Sequence, residues 1–170
     1  MKLSDYDNYF KDIATRLADI AHTEDNPRFA HYHIEEVITG LRGKLDLTGY
    51  CLLLEDPTGQ FYKVAGNEVK DLQTGAILII RHVPIDDFAQ ERVVLDESLE
   101  LCREVGARML DDQELAINTT SMPRFLRGLQ VNGFQYQKAA DIFDHCFGYR
   151  LEFQYLDTEA LRVHPERWIT

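Results

Sequence analysis

Apolar residues crowd the middle of the chain. Ala76-Ile77-Leu78-Ile79-Ile80 runs without polar alternation from Gly75 to Arg81-His82-Val83-Pro84. This is the pattern of a strand covered on both faces, and Pro84, lacking a ladder donor, marks its end. The strand is expected to be central in its sheet. Beyond it, Asp86 offers a carboxylate as N-cap, and Phe88, Val94, Leu95, Leu101, Cys102, Val105 and Met109 recur at helical spacing. That periodicity predicts a long helix lying across the sheet.

Upstream, Ser4 and Asp7 have capping-box spacing, with Asp in place of the usual Glu, and Tyr6, Phe10, Ile13, Leu17 and Ile20 share one face of a helix reaching Ala21. Asn26-Pro27 reads as a cap with proline in the first turn of a second helix, whose inner face carries Ile34, Val37, Ile38, Leu41 and Leu45. Together they predict a helical hairpin. Residues 49–55 read as a strand, Asp56-Pro57-Thr58-Gly59 as a tight turn, and 60–64 as the returning strand. Residues 65–74 are polar and contain Gly66-Asn67, which suggests a surface loop before the central strand.

Downstream of the long helix, residues 111–123 are polar and contain Asn118-Thr119-Thr120-Ser121. A connection of that length is unusual in a compact domain and is a candidate for contact with a partner. Residues 126–138 read as a strand with a bulge at Asn132-Gly133, where the apolar phase switches from Leu129 and Val131 to Phe134 and Tyr136. After Gly148 the alternation is clean, with Tyr149, Leu151, Phe153 and Tyr155 on one side and Arg150, Glu152 and Gln154 on the other, wet side. A helical turn at 158–163 and the lone Trp168 close the chain.

The expected fold is therefore α+β: a mainly antiparallel sheet of about five strands, one long helix packed on it, and an N-terminal helical hairpin. One domain is expected over 1–170, with the hairpin at 1–47, the sheet-plus-helix core at 48–157 and a tail at 158–170. No internal repeat or low-complexity tract interrupts it.

Composition narrows the function classes. Hydrophobic residues make up 45% and charged residues 28%, ordinary globular values. The formal charge is −11, and the basic residues are scattered, which argues against sequence-specific nucleic-acid binding and against anionic membranes. No stretch has the length or the hydrophobicity of a membrane span or signal peptide. Cys51, Cys102 and Cys146 are odd in number, far apart and set among apolar residues, so they read as buried thiols in a reducing, cytoplasmic compartment.

Candidate chemistries are sparse. His31, His33, Glu35 and Glu36 form the densest cluster. On a helix His31 and His33 point about 200° apart, and His31 with Glu35 lacks further ligands at metal spacing. Asp144-His145-Cys146 places a thiol beside an imidazole, but neighbours on an extended segment face opposite ways. His82, beside Arg81 at the end of the central strand, has no identifiable acid or nucleophile partner. The carboxylate pairs Asp86-Asp87 and Asp111-Asp112 read as a helix start and a solvated helix exit. No glycine-rich phosphate loop is visible. No catalytic residue, cofactor or metal is expected.

What remains is surface. Eight tyrosines suit contacts that are apolar at one end and wet at the other, as between subunits, or ordinary sheet positions. Candidate interface residues are Tyr6, Tyr9, Phe10, Asn118, Thr119 and Trp168.

The segment Ala140-Asp141-Ile142-Phe143-Asp144-His145-Cys146-Phe147-Gly148-Tyr149-Arg150-Leu151-Glu152-Phe153 resembles the closing strand of small phage structural proteins of the neck and tail, of the tail terminator or completion type, and the order of elements from Gly75 onward is similar to theirs. The paired N-terminal helices depart from the simplest such form. The resemblance implies an antiparallel sheet with helices on one side, assembly into a ring that is usually a hexamer, neighbouring virion proteins as partners, and a place in the virion after assembly in the host cytoplasm. The expectation is a non-enzymatic structural protein. The alternatives are a cytosolic adaptor or regulatory protein binding through its exposed helices, and an enzyme using His82 or the His31/Glu35 region.

Overall fold

A computed structural model describes residues 2–32, 42–63, 69–143, 145–157 and 165–169. Helix α1 (Leu3–Arg16) is followed by strands β1 (Phe29–Tyr32), β2 (Cys51–Lys63) and β3 (Val69–His82), helix α2 (Phe88–Asn118), and strands β4 (Leu129–Ile142) and β5 (Cys146–Asp157). The five strands form one sheet in the order β1-β2-β3-β5-β4. Only β1 and β2 run parallel; every other neighbour is antiparallel. The α+β class and the central position of the Ile77–Ile80 segment are as the pattern predicts.

Both faces of β3 are covered. Ile77 and Ile79 face the two helices together with Leu52, Leu54, Leu151 and Phe153, whereas Leu78 and Ile80 join Cys51, Leu53, Ala139 and Cys146 on the far side under Leu45, Leu47 and Phe143. The helix side holds an aromatic cluster: Phe125 is 5.5 Å from both Tyr6 and Tyr9 and 5.4 Å from Tyr155, while Phe10 stacks on Phe153 at 5.4 Å. Rings at these separations add favourable edge and offset contacts to the burial of large apolar area.

Several expected elements differ, each for a local reason. Asp56-Pro57-Thr58-Gly59 is not a turn. β2 runs through it with a register shift between Glu55 and Thr58, and pairing with β3 continues to Lys63↔Val69. Proline has no N–H to donate, yet at a bulge none is required of it. The two short strands expected at 49–55 and 60–64 are thus one, and β3 begins before Gly75, using residues taken as a surface loop.

The second helix expected from Asn26 does not begin there. Phe29–Tyr32 is a strand added parallel to β2, introduced when the Leu52 amide donates to the Arg28 carbonyl at 2.8 Å. The remainder of that predicted helix, 33–41, lies outside the described residues. Helix α1 starts before Ser4, has Lys2 as its N-cap without a side-chain cap bond, and ends at Arg16 rather than Ala21.

Helix α2 is longer than its apolar stripe suggests, and Asp87, not Asp86, caps it by accepting from the Gln90 amide at 2.9 Å. It continues to Asn118, through residues read as a polar connection. The buried stripe Val105, Met109, Asp112, Ala116 keeps helical spacing, but its third member is a carboxylate, and this hides the periodicity. The expected bulge near Asn132-Gly133 is present as a register shift between Gln130 and Gln135.

Candidate functional site

Helices α1 and α2 and the turn at 120–127 enclose a groove of about 780 Å³. Its floor is built by Tyr9 and Asp112. The spacing of Tyr6, Tyr9, Phe10 and Ile13 turns one face of α1 to the sheet, and Tyr9 thereby brings its phenol to α2, where it donates to Asp112 Oδ2 at 3.0 Å. Arg108, one helical turn before Asp112, donates from Nε to the same oxygen at 2.8 Å. Asp112 is 2% exposed whereas Asp111 is solvated, and the helix runs on past both, so the pair is not a helix exit. Burial first, and then the adjacent Asp112 charge, raise the Tyr9 phenol far above its ordinary titration range; the same carboxylate raises the Arg108 guanidinium. Both groups therefore stay protonated donors.

The candidate interface residues divide in two. Tyr6, Tyr9 and Phe10 lie in the chain's own core, where α1 docks on its own sheet, so they offer nothing to a neighbouring subunit. Buried phenols still need acceptors, and each of the core tyrosines has one: Tyr6 donates to the Glu55 carbonyl at 3.3 Å, Tyr50 to Glu97 at 2.5 Å and Tyr155 to Gln73 at 2.7 Å. Much of the tyrosine content is thus core chemistry. Asn118 and Thr119 are exposed at the end of α2, not in a long loop, and their side chains bond back to the carbonyls of Glu114 and Leu115. Trp168 is 70% exposed.

The residues weighed for catalysis do not come together. His31 is on β1, with Nε2 2.7 Å from Asp7 and Nδ1 3.5 Å from Asp56, so its two nitrogens face carboxylates on opposite sides and cannot chelate one ion with them. Its proposed partner Glu35, like Asp144, lies outside the described residues. His82 is exposed at the end of β3, opposite Cys146 in the β3–β5 register. The three cysteines are buried, and burial pushes the thiols of Cys51 and Cys102 up to about 12. Such thiols are poor nucleophiles near neutrality. Among the described residues, no group of three or more His, Cys, Asp or Glu is placed to hold a metal ion, and no helix is long and apolar enough to cross a membrane.

The second exposed feature is β4. It is the last strand of the sheet, paired with β5 on one side and, among the described residues, with no strand on the other. Its 14 residues contain only two charges, Lys138 and Asp141, and Lys138 is held by Glu91 at 3.1 Å. Val131 is 62% and Tyr136 53% exposed. Gln113 donates to the Leu129 carbonyl at 2.9 Å, which sets the exposed Leu115 and Ile117 of α2 at the same end of the molecule as Val131.

The arrangement defines a sheet with α1 and α2 on one face and a long edge strand of few charges. No protein-family model matches the chain, no curated protein is similar to it, and no solved structure matches it.

Proposed function

We propose that this chain is a non-enzymatic assembly protein that builds a ring from its own copies, of the kind placed in the neck or tail of a phage virion. The observation that carries the reading is the β4 edge. A long edge strand with exposed apolar side chains and few charges is a template for another strand. A neighbouring copy that continues the sheet from β4 satisfies the outward N–H and C=O groups and covers Val131. When the neighbour meets β4 with a different surface of its own, the contact is heterologous, and one whose rotation closes generates a ring. The formal charge of −11 fits a ring through which DNA passes without adhering, because like charges repel.

Native mass spectrometry and negative-stain imaging test this. The wild-type chain is expected as a discrete oligomer with ring-shaped particles. The double variant Val131→Lys, Gln135→Lys, which puts charge on two exposed edge positions, is expected as a folded monomer. A wild-type chain that stays monomeric at high concentration, or an oligomer indifferent to the double variant, overturns the reading.

A further inference from the structure

Strand β4 carries a chemically labile group in the middle of its exposed edge. Residues 131–134 oppose Phe153 alone, because pairing with β5 passes from Gln130↔Gln154 directly to Gln135↔Glu152. A bulge leaves part of the ladder unmade and releases the local backbone from regular strand geometry. Asn132 lies in this bulge and is exposed, and Gly133 follows it. Gly133 is pressed against β5, where a Cβ would meet that of Gln154 at 2.6 Å. The packing therefore demands the glycine, and with it the Asn-Gly dipeptide.

The side-chain amide of asparagine is among the less durable groups of a protein. Its Cγ is an electrophile, and the backbone nitrogen of the next residue can close a five-membered ring on it. Closure forms the N–Cγ bond and breaks the bond from Cγ to the side-chain nitrogen, which leaves as ammonia with the backbone proton. Water then opens the cyclic imide at either carbonyl, giving aspartate at 132 or the isomer whose main chain runs through Cγ. Water is the only co-reactant, and nothing is oxidised or reduced. A Cβ on the following residue hinders closure, and glycine has none. Asn8, Asn67 and Asn118 precede Tyr9, Glu68 and Thr119, and Asn26 precedes Pro27, which has no N–H to give up. Asn132 alone precedes glycine.

We infer that Asn132 is a self-modifying site, which converts through this cyclic imide to aspartate and isoaspartate and thereby closes the β4 edge to further copies. The modification stands on the bulge; the exclusion of modified copies rests on the assembly reading above. A carboxylate on an edge strand discourages strand addition. The isomer also lengthens the main chain by one atom, which offsets the pairing beyond it. A seated neighbour covers β4, so assembled copies are protected while unassembled ones convert. Fresh copies join, and old ones do not.

Peptide mass spectrometry of the intact wild-type chain, kept dilute at mildly alkaline pH, tests the modification. The peptide holding residue 132 is expected to gain about 1 Da, as amide gives way to carboxylate. It should do so well ahead of the peptides holding Asn8 and Asn118. Asn132→Gln, whose ring would need six members, is expected to remove the gain. Conversion at 132 no faster than at Asn118 overturns the site. The exclusion is read by concentrating a partly converted sample and separating it by size. The converted form is expected to be depleted from the oligomer at least about tenfold relative to the monomer. Equal shares in the two fractions, or a converted monomer that has lost its fold, overturn the exclusion. A chain that converts at 132 yet forms no oligomer at any concentration sinks the ring reading and leaves the modification site standing.

Discussion

Tyr9 and Asp112 stand 103 residues apart in the chain and meet inside the core, the phenol donating to the carboxylate at 3.0 Å. This bond ties α1 to the distal half of α2 and gives the buried charge its only donor from outside its own helix among the described residues. Tyr9→Phe keeps the ring contacts with Phe10 and Phe125 and removes the donor alone. It is expected to cost about 1–3 kcal/mol in urea unfolding, because a buried acceptor loses one of its two partners.

Arg150 and Glu55 make a forked ion pair on the far face. Nε and Nη2 of Arg150 each lie 2.8 Å from a different Glu55 oxygen, and Nη1 lies 2.7 Å from Glu152. The alternation in β5 reads this face as wet and predicts a small effect for Arg150→Ala, but the side chain is only 22% exposed. Forked, partly desolvated pairs exceed the ordinary surface value. Arg150→Ala is therefore expected to cost about 1–3 kcal/mol, leaving Glu55 and Glu152 close together and unpaired. A double-mutant cycle with Glu55→Gln should give a coupling above about 1 kcal/mol.

Strand β3 leaves no room for a side chain at Gly148 of β5. A Cβ there would sit 1.9 Å from the carbonyl oxygen of Ile79. Gly148→Ala is expected to force β3 and β5 apart and to lower stability by more than about 3 kcal/mol. Ile79→Ala, which empties a fully buried position, should cost about 2–5 kcal/mol. Calorimetric unfolding of both variants measures this.

His22 predicts a pH dependence. Its Nδ1 accepts from the Arg28 amide at 3.1 Å, which requires the neutral ring, and partial burial, then the Lys11 charge, hold its pKa below the usual value. The unfolded chain therefore binds a proton that the folded chain resists. The stabilisation is complete above the ordinary histidine range and declines as pH falls through the folded value. Stability measured from neutral pH downward should fall less steeply in His22→Asn than in wild type.

Fold class, the buried β3, the alternation of β5 and the β4 bulge were legible because each rests on a periodicity of two or 3.6 carried by side chains of one kind. The errors occur where one residue breaks its own pattern. Pro57 imitates a turn while sitting in a bulge; Asp112 interrupts the α2 stripe although it is buried; Pro27 suggests a helix start although the segment after it adds to a sheet. In the groove, Arg108 and Asp112 are a helical turn apart and that spacing was visible, but the contribution of Tyr9 depends on how α1 docks. Nothing local in the sequence gives that distance.

The claim that copies join through β4 is tested most directly by amide hydrogen exchange over 129–142, measured in dilute and in assembled samples. Assembly is expected to slow exchange in β4 selectively, leaving α1 and the β3 core unchanged. An oligomer that forms while β4 exchanges as fast as in the monomer would contradict the account.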